Sequence, residues 1–268
     1  MKEFGRKPKG FLKKHKSTSW GGVAGWYDDY LERNEDSYQR QVILPNLLRV
    51  LGIRRGTRVF DIACGQGFFT REFARLGARA IGADISKELI EYARAHSPRE
   101  IVFYVSPAHQ LSFAPAGEFD IVTIVLAVQN IQNISEVFAE AARVLRPAGR
   151  LVLVLNHPVL RVPKNSSWGW DARTNTQYRR IDRYLSAERV GIVMHPGKKN
   201  SEQTVTYHRS LQDIFRALLK NGFAVAKLEE WISHRKSQRG PRQKNEDVAR
   251  KEFPLFLMLE ARKFISLQ

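Results

Sequence analysis

An α/β fold built on one seven-stranded, mostly parallel sheet with helices on both faces is predicted by three features of the sequence. From Val59 onward, short β-rich apolar runs alternate with helical patterns, which is how parallel βαβ units read. A strand near residue 60 runs into a turn containing Gly65 and Gly67 and then into a helix, the arrangement that leaves a ligand crevice at a strand tip. The length of 268 residues with 43% hydrophobic content suits one large domain better than two.

The elements follow in order. Strands are expected at Arg58 to Ile62, Arg79 to Ala83, Ile101 to Val105, Asp120 to Leu126, Leu151 to Leu155, Val225 to Glu229 and Leu255 to Ala261. Helices are expected at about Phe69 to Leu76, Lys87 to His96, Glu136 to Leu145 and Leu211 to Asn221. Ser86, Ser135 and Ser210 are placed as N-caps, Ser210 with Asp213 in capping-box spacing, and Gly77 and Gly222 as the residues that end their helices. Ahead of the sheet, Tyr38 to Leu51 has helical spacing, and Pro45 either kinks that helix or starts its second half. Residues 158–209 interrupt the alternation with a stretch rich in aromatic, Arg and Asn residues, read as an inserted cap over the crevice after the fifth strand. Residues 1–19 are expected to form a basic flexible segment and 20–268 the folded domain.

Composition narrows the classes. No apolar run is long enough to span a membrane and the N-terminal residues are basic and polar, so a soluble, cytoplasmic protein is expected. Cys64 is the single cysteine, which excludes an internal disulfide and a thiolate-rich zinc site, and the seven histidines show no ligand spacing, so no metal is expected. The net charge of +17 favours contact with polyanions, RNA among them, through residues 1–19 and the basic stretch from Arg235 through Lys251.

The run Val59-Phe60-Asp61-Ile62-Ala63-Cys64-Gly65-Gln66-Gly67 carries the chemistry. Its glycines let the backbone turn sharply and let a ligand lie against it. Asp61 is an acid inside a strand that should be apolar, and a buried carboxylate needs a cation or hydrogen-bond donors to offset its desolvation. Asp84 ends the second strand, where a carboxylate accepts both ribose hydroxyls of a nucleoside. A dinucleotide-binding dehydrogenase is the rival in this architecture, but its third glycine would fall on Thr70.

On these residues the sequence resembles the class I S-adenosylmethionine-dependent methyltransferases, in particular the small-molecule group that includes the quinone-biosynthesis type. The resemblance implies a Rossmann-like sheet and S-adenosyl-L-methionine as methyl donor. It covers residues 20–160 well and the remainder loosely. The first motif of that family matches Asp61 and Cys64-Gly65-Gln66-Gly67, with Ala63 in place of the usual glycine. The ribose acid falls on Asp84, with Ile85 beside the adenine. The third motif falls on Ser106-Pro107-Ala108-His109, where Pro107 stands in place of an adenine-binding Asp, so that Ser106, a backbone carbonyl or water is left to take that part. Phe119-Asp120-Ile121-Val122 matches the fourth strand, and Leu126 to Asn130 would line the methionine end. Arg146-Pro147-Ala148-Gly149-Arg150 matches the turn into the fifth strand. By the same resemblance Tyr27, in an N-terminal helix that closes over the donor, is a donor contact, and Tyr27, Asp61, Ala63, Cys64, Gly65, Gly67, Asp84, Ile85, Ala108 and Leu126 form the expected donor set.

Methyl transfer from a sulfonium needs alignment and exclusion of water, with a general base only where the acceptor must lose a proton. His157, directly after the fifth strand, is the first candidate base, and Tyr207 and His208 are candidates to orient an acceptor. The expected acceptor is a small molecule; an RNA acceptor, or donor binding without turnover, are the alternatives.

Overall fold

The computed structural model describes residues 34–193 and 203–264. Near-continuous apolar runs, buried on both faces at the centre, form one seven-stranded sheet from β1 (Arg58–Ile62), β2 (Arg79–Asp84), β3 (Val102–Val105), β4 (Phe119–Val125), β5 (Leu145–Asn156), β10 (Phe223–Trp231) and β11 (Phe256–Lys263). Its order is β10-β11-β5-β4-β1-β2-β3. The first five strands are parallel, and β11 runs antiparallel between β5 and β10. All seven expected strands are present in this sheet.

The strand order reverses between β1 and β4, and loops leaving the two strands there diverge to open a crevice at their carboxyl ends. Side chains of each strand alternate between two apolar layers. Val59, Ile121, Val154 and Met258 face α1 (Leu44–Leu51) and α2 (Phe68–Arg75), packing on Leu47, Phe69 and Phe73. Phe60, Ile62, Ile124 and Leu153 face the other way, onto Phe138 and Ala141 of α4 (Ile134–Val144) and Leu218 of α5 (Leu211–Lys220). Between β2 and β3 lies α3 (Lys87–Ala95), whose Ile90 and Ala93 pack on Cys64 and Phe103.

Local chemistry explains the boundaries. Ser86 caps α3 by accepting from Leu89 N, and Ser210 and Asp213 form the reciprocal capping box of α5. Gly77 and Gly222 take left-handed φ of 90° and 77° after their helices. Ser135 is not a cap: α4 begins at Ile134, and the Ser135 hydroxyl instead accepts from Asn221 Nδ2 at 3.1 Å. A single π-turn at Gln39–Ile43 precedes α1, and Pro45 opens α1, where its missing N–H costs nothing.

The described residues of the 158–209 stretch contain two antiparallel strand pairs outside the main sheet: β6 (Ser166–Asp171) with β7 (Thr176–Ile181), and β8 (Glu188–Val193) with β9 (Gln203–His208). The first leans on α6 (Gln243–Glu252), where Trp168 meets Phe253 edge-on at 5.3 Å and the Arg242 guanidinium lies 4.6 Å over Trp170. The basic stretch after residue 235 is therefore ordered: Arg235 pairs with Asp36, and Arg250 donates to Ser237. Among the described residues no helix is long and apolar enough to cross a membrane.

At the start of β5, where its register with β4 shifts, the backbone is constrained at two adjacent residues. Ala148 sits at φ 59°, a left-handed conformation that favours glycine, while a Cβ on Gly149 would lie 2.9 Å from Arg146 O and Leu145 Cδ2. Ala148→Gly is accordingly expected to hold or raise stability, by up to about 1 kcal/mol. Gly149→Ala is expected to lower it by about 1 to 3 kcal/mol. Urea unfolding of the two variants checks this; equal losses would mean that the turn carries neither constraint.

Candidate active site

At the crevice the chain leaves β1 through three alternate positions of left-handed backbone. Ala63 and Gly65 have φ of 56° and 57°, and Gly67 has φ of 78° where α2 begins. Across the crevice Leu126 ends β4 at φ 55°, with its N–H donating to Val154 O at 2.6 Å. Left-handed alanine and leucine are strained, and here both flank the same opening. Gly65 has nothing within 4 Å of a would-be Cβ, so its open side belongs to the cavity, whereas a Cβ on Gly67 would strike the Phe103 ring at 2.7 Å. Gly67 is thus a packing residue; Gly65 is a wall.

Asp61 lies under this turn, 1% exposed, and both carboxylate oxygens are occupied: Thr70 Oγ1 donates at 2.7 Å and Thr123 Oγ1 at 2.8 Å. Thr123 is the register partner of Asp61 on β4, and Thr70 comes from the first turn of α2. Two neutral hydroxyls do not cancel a buried charge. Burial pushes the Asp61 carboxyl up to about 6, partly offset by the two threonines, and the nearby Asp84 charge adds to the rise. Asp84 is 8% exposed and accepts from Gly65 N and Ser86 N, each at 2.9 Å. Burial raises its pKa too, opposed by those backbone donors. The Cys64 thiol is buried and pushed far up by desolvation, which keeps it protonated and unreactive.

Two adjoining cavities, of about 150 and 530 Å3, share Ala63, Asp84, Ile85, Asn130 and Ile131 as walls and form one trough. The inner part adds Asp61, Cys64, Gly65, Gln66 and Leu126; the outer part adds Ser106, Pro107, Ala108, His109 and Tyr207. Of the residues expected to bind a donor, Asp61, Ala63, Cys64, Gly65, Asp84, Ile85, Ala108 and Leu126 are brought together on this trough, Gly67 lies behind it, and Tyr27 is outside the described residues. Gln66 was missed. It is 1% exposed, lines the inner trough, and neither Nε2 nor Oε1 has a partner among the described residues. Only its place between two turn glycines marks it in the sequence.

A third cavity, of about 260 Å3, lies across the 128–130 turn from the trough, with Tyr207 as a common wall. His208 lines it and holds Tyr184 O through Nε2 at 2.7 Å. His157 does not reach either space. Its ring is 3% exposed, Nδ1 accepts from Leu160 N, and Nε2 donates to Glu230 Oε1 at 2.7 Å, so both nitrogens are engaged on the β10 side of β5. Seen from the sequence the strand tip was right, but the side the ring takes depends on Glu230, 73 residues away. No cluster of metal-binding side chains occurs among the described residues.

The trough fits a nucleoside joined to an amino acid. Asp84 keeps lone pairs for hydroxyls, Asp61 supplies negative charge, and Gln66 offers one donor and one acceptor suited to a carboxylate and an ammonium.

Comparison with known proteins agrees with that chemistry. The sequence profile of a methyltransferase domain matches residues 60–153. A demethylmenaquinone methyltransferase of Tropheryma whipplei is 37% identical over 41% of this chain and 46% of its own length. A ubiquinone biosynthesis O-methyltransferase of Xanthomonas oryzae is 33% identical over 37% of this chain and 42% of its own. The chain thus spans under half the length of these relatives. The crystal structure of an S-adenosylmethionine-dependent methyltransferase from Mesorhizobium loti superposes with a TM-score of 0.64 at 25% identity, over 81% of this chain and 96% of that one.

The raised Asp61 pKa has a measurable consequence. A carboxyl whose folded pKa exceeds its unfolded value adds stability that is complete below about 3.8 and lost as pH rises through about 6. Asp61→Asn keeps partners for both threonines and removes the titration. Its stability relative to the parent is expected to climb between pH 4 and 7, by at most about 3 kcal/mol. Urea unfolding at both pH values measures the difference; a gap that does not change with pH would show that Asp61 titrates as an ordinary acid.

Proposed function

We propose that this chain, which has the domain and fold of a class I S-adenosylmethionine-dependent methyltransferase, transfers the donor's methyl group to a small molecule held in the cavity beside the trough. The observation that carries the reading is the polar lining of the trough at the switch point: among the described residues, a buried Asp61 bonded only to neutral hydroxyls, Asp84 with free lone pairs, and a buried Gln66 side-chain amide with no hydrogen-bond partner.

S-adenosylmethionine, when bound, supplies a methyl group made electrophilic by its sulfonium. Asp84 and the Gly65 turn bind the ribose, with Ile85 against the adenine and the Ser106 to His109 turn at its far edge. Asp61 and Gln66 take the charged amino-acid end. Leu126, held by Val154, forms the opposite wall. Tyr207 stands where the trough and the acceptor cavity meet, and it and His208 are the residues placed to orient an acceptor. His157 is committed to Glu230 and ties the end of β5 to β10 across β11. The hairpin β8–β9 serves as the cap: Thr206 Oγ1 donates to Gln129 O, and Arg209 Nη2 donates to Ile131 O and Gln132 O, which fixes the 128–132 segment between donor and acceptor. The internal contacts of Arg235, Arg242 and Arg250 favour a small acceptor over a nucleic acid gripped by that stretch.

Asp84→Ala is expected to weaken S-adenosylmethionine binding about 10- to 100-fold, through the lost ribose bonds and the released Gly65 N–H. Calorimetric titration decides it, with mass spectrometry of methylated products from a small-molecule screen reporting turnover. Unchanged affinity, or tight binding of NAD in its place, would overturn the reading.

A further inference from the structure

Resting on the donor assignment above, we infer that the acceptor bears an anionic group, a carboxylate or a phosphate, and that Arg161, Lys164 and Arg179 receive it. These three cations line the 260 Å3 cavity between the segment after β5 and the hairpins, and no Asp or Glu is among its described lining residues. At about 260 Å3 the cavity admits a small metabolite rather than a polymer.

What the cations are bonded to decides their availability. Among the described residues the Arg161 side chain makes one hydrogen bond, Nη1 to Asn156 Oδ1 at 2.8 Å, which leaves Nε and Nη2 as unused donors of a residue that lines the cavity. Arg161 keeps open surface, yet burial of its guanidinium lowers its pKa, opposed by Tyr38 and reinforced by the like charge of Arg179. Arg179 is locked from behind: Nε donates to Leu160 O, Nη2 to Ser166 Oγ, and the guanidinium lies 5.2 Å over the Trp168 ring. Two guanidinium charges thus repel each other beside a cavity with no carboxylate among its described lining residues. Two other part-buried cations are neutralised by carboxylates, Arg150 by Glu260 at 2.9 Å and Arg143 by Glu140 at 2.8 Å. Arg209, on the same wall, is a contrast of another kind, because backbone carbonyls consume its donors. An anion at Arg161 and Arg179 would relieve the repulsion and gain charge-assisted hydrogen bonds from a fork already held in place.

Calorimetry of the full chain at low ionic strength, with inorganic phosphate in one arm and malonate in the other, tests the site. S-adenosylhomocysteine serves as the control for the trough. At least one of the anions is expected to bind, with affinity falling 10-fold or more in Arg161→Gln and less in Lys164→Gln, while the melting temperature and S-adenosylhomocysteine affinity stay unchanged. The arm that binds more tightly identifies carboxylate or phosphate as the acceptor's group. Binding of neither anion by a protein that binds S-adenosylhomocysteine, or equal anion affinity in the parent and Arg161→Gln, would overturn the inference. Anion binding without S-adenosylhomocysteine binding would overturn the donor reading and leave the anion site standing.

Discussion

The architecture turns on one buried carboxylate. Asp61 sits on β1 beside its register partner Thr123 on β4, and Thr70 from the start of α2 closes the other side, so three elements meet on its two oxygens. The meeting point is also where strand order reverses. A leucine or valine there would pack better and avoid the desolvation that lifts the Asp61 pKa to about 6. An apolar residue, however, would leave Asp84 as the one carboxylate among the described residues lining the inner trough. The cost in stability thus falls at the crevice, where a cationic ligand would repay it.

Around that point the backbone is arranged to expose its own polar groups. Left-handed residues at Ala63, Gly65 and Leu126 turn the chain away from the sheet on both sides of the crevice. Asp84 ties the Gly65 N–H to the tip of β2, so the acid at the neighbouring strand both shapes the turn and faces the trough. The hairpins add a second layer. They pin the 128–132 segment from above through Thr206 and Arg209, and they bring Arg179 round to the Asn156–Arg161 segment. Trough and cavity are then separate spaces that touch at Tyr207, an arrangement suited to two ligands of different charge.

Much of this was legible in the sequence because it rests on local chemistry. The strands alternate or run apolar, Ser86 and Ser210 precede amphipathic helices, and an acid followed by a glycine turn is hard to place except at a strand tip. What stayed hidden depends on distance. Thr70 and Thr123 lie 9 and 62 residues from Asp61, and neither looks unusual in its own element. His157 is turned by Glu230, and Gln66 matters only once it is known to be buried without a partner. The hairpin β6–β7 contains no fully buried residue, and although exposure alternates along β7, its Thr176-Gln177-Tyr178-Arg179-Arg180-Ile181 run has no apolar–polar alternation, so the stretch reads only as an insertion. Tertiary contact with α6, through Trp168 and Trp170, supplies what periodicity does not.

The central claim, that Asp61 is a destabilised carboxylate kept to attract a cation, is tested most directly by following its carboxyl carbon by NMR through a pH titration, with and without S-adenosylmethionine. The free protein is expected to show a midpoint near 6, and the bound protein one displaced downward, because a nearby positive charge favours the ionised form. A midpoint near the ordinary aspartate value in the free protein, or one that S-adenosylmethionine leaves in place, would contradict the account.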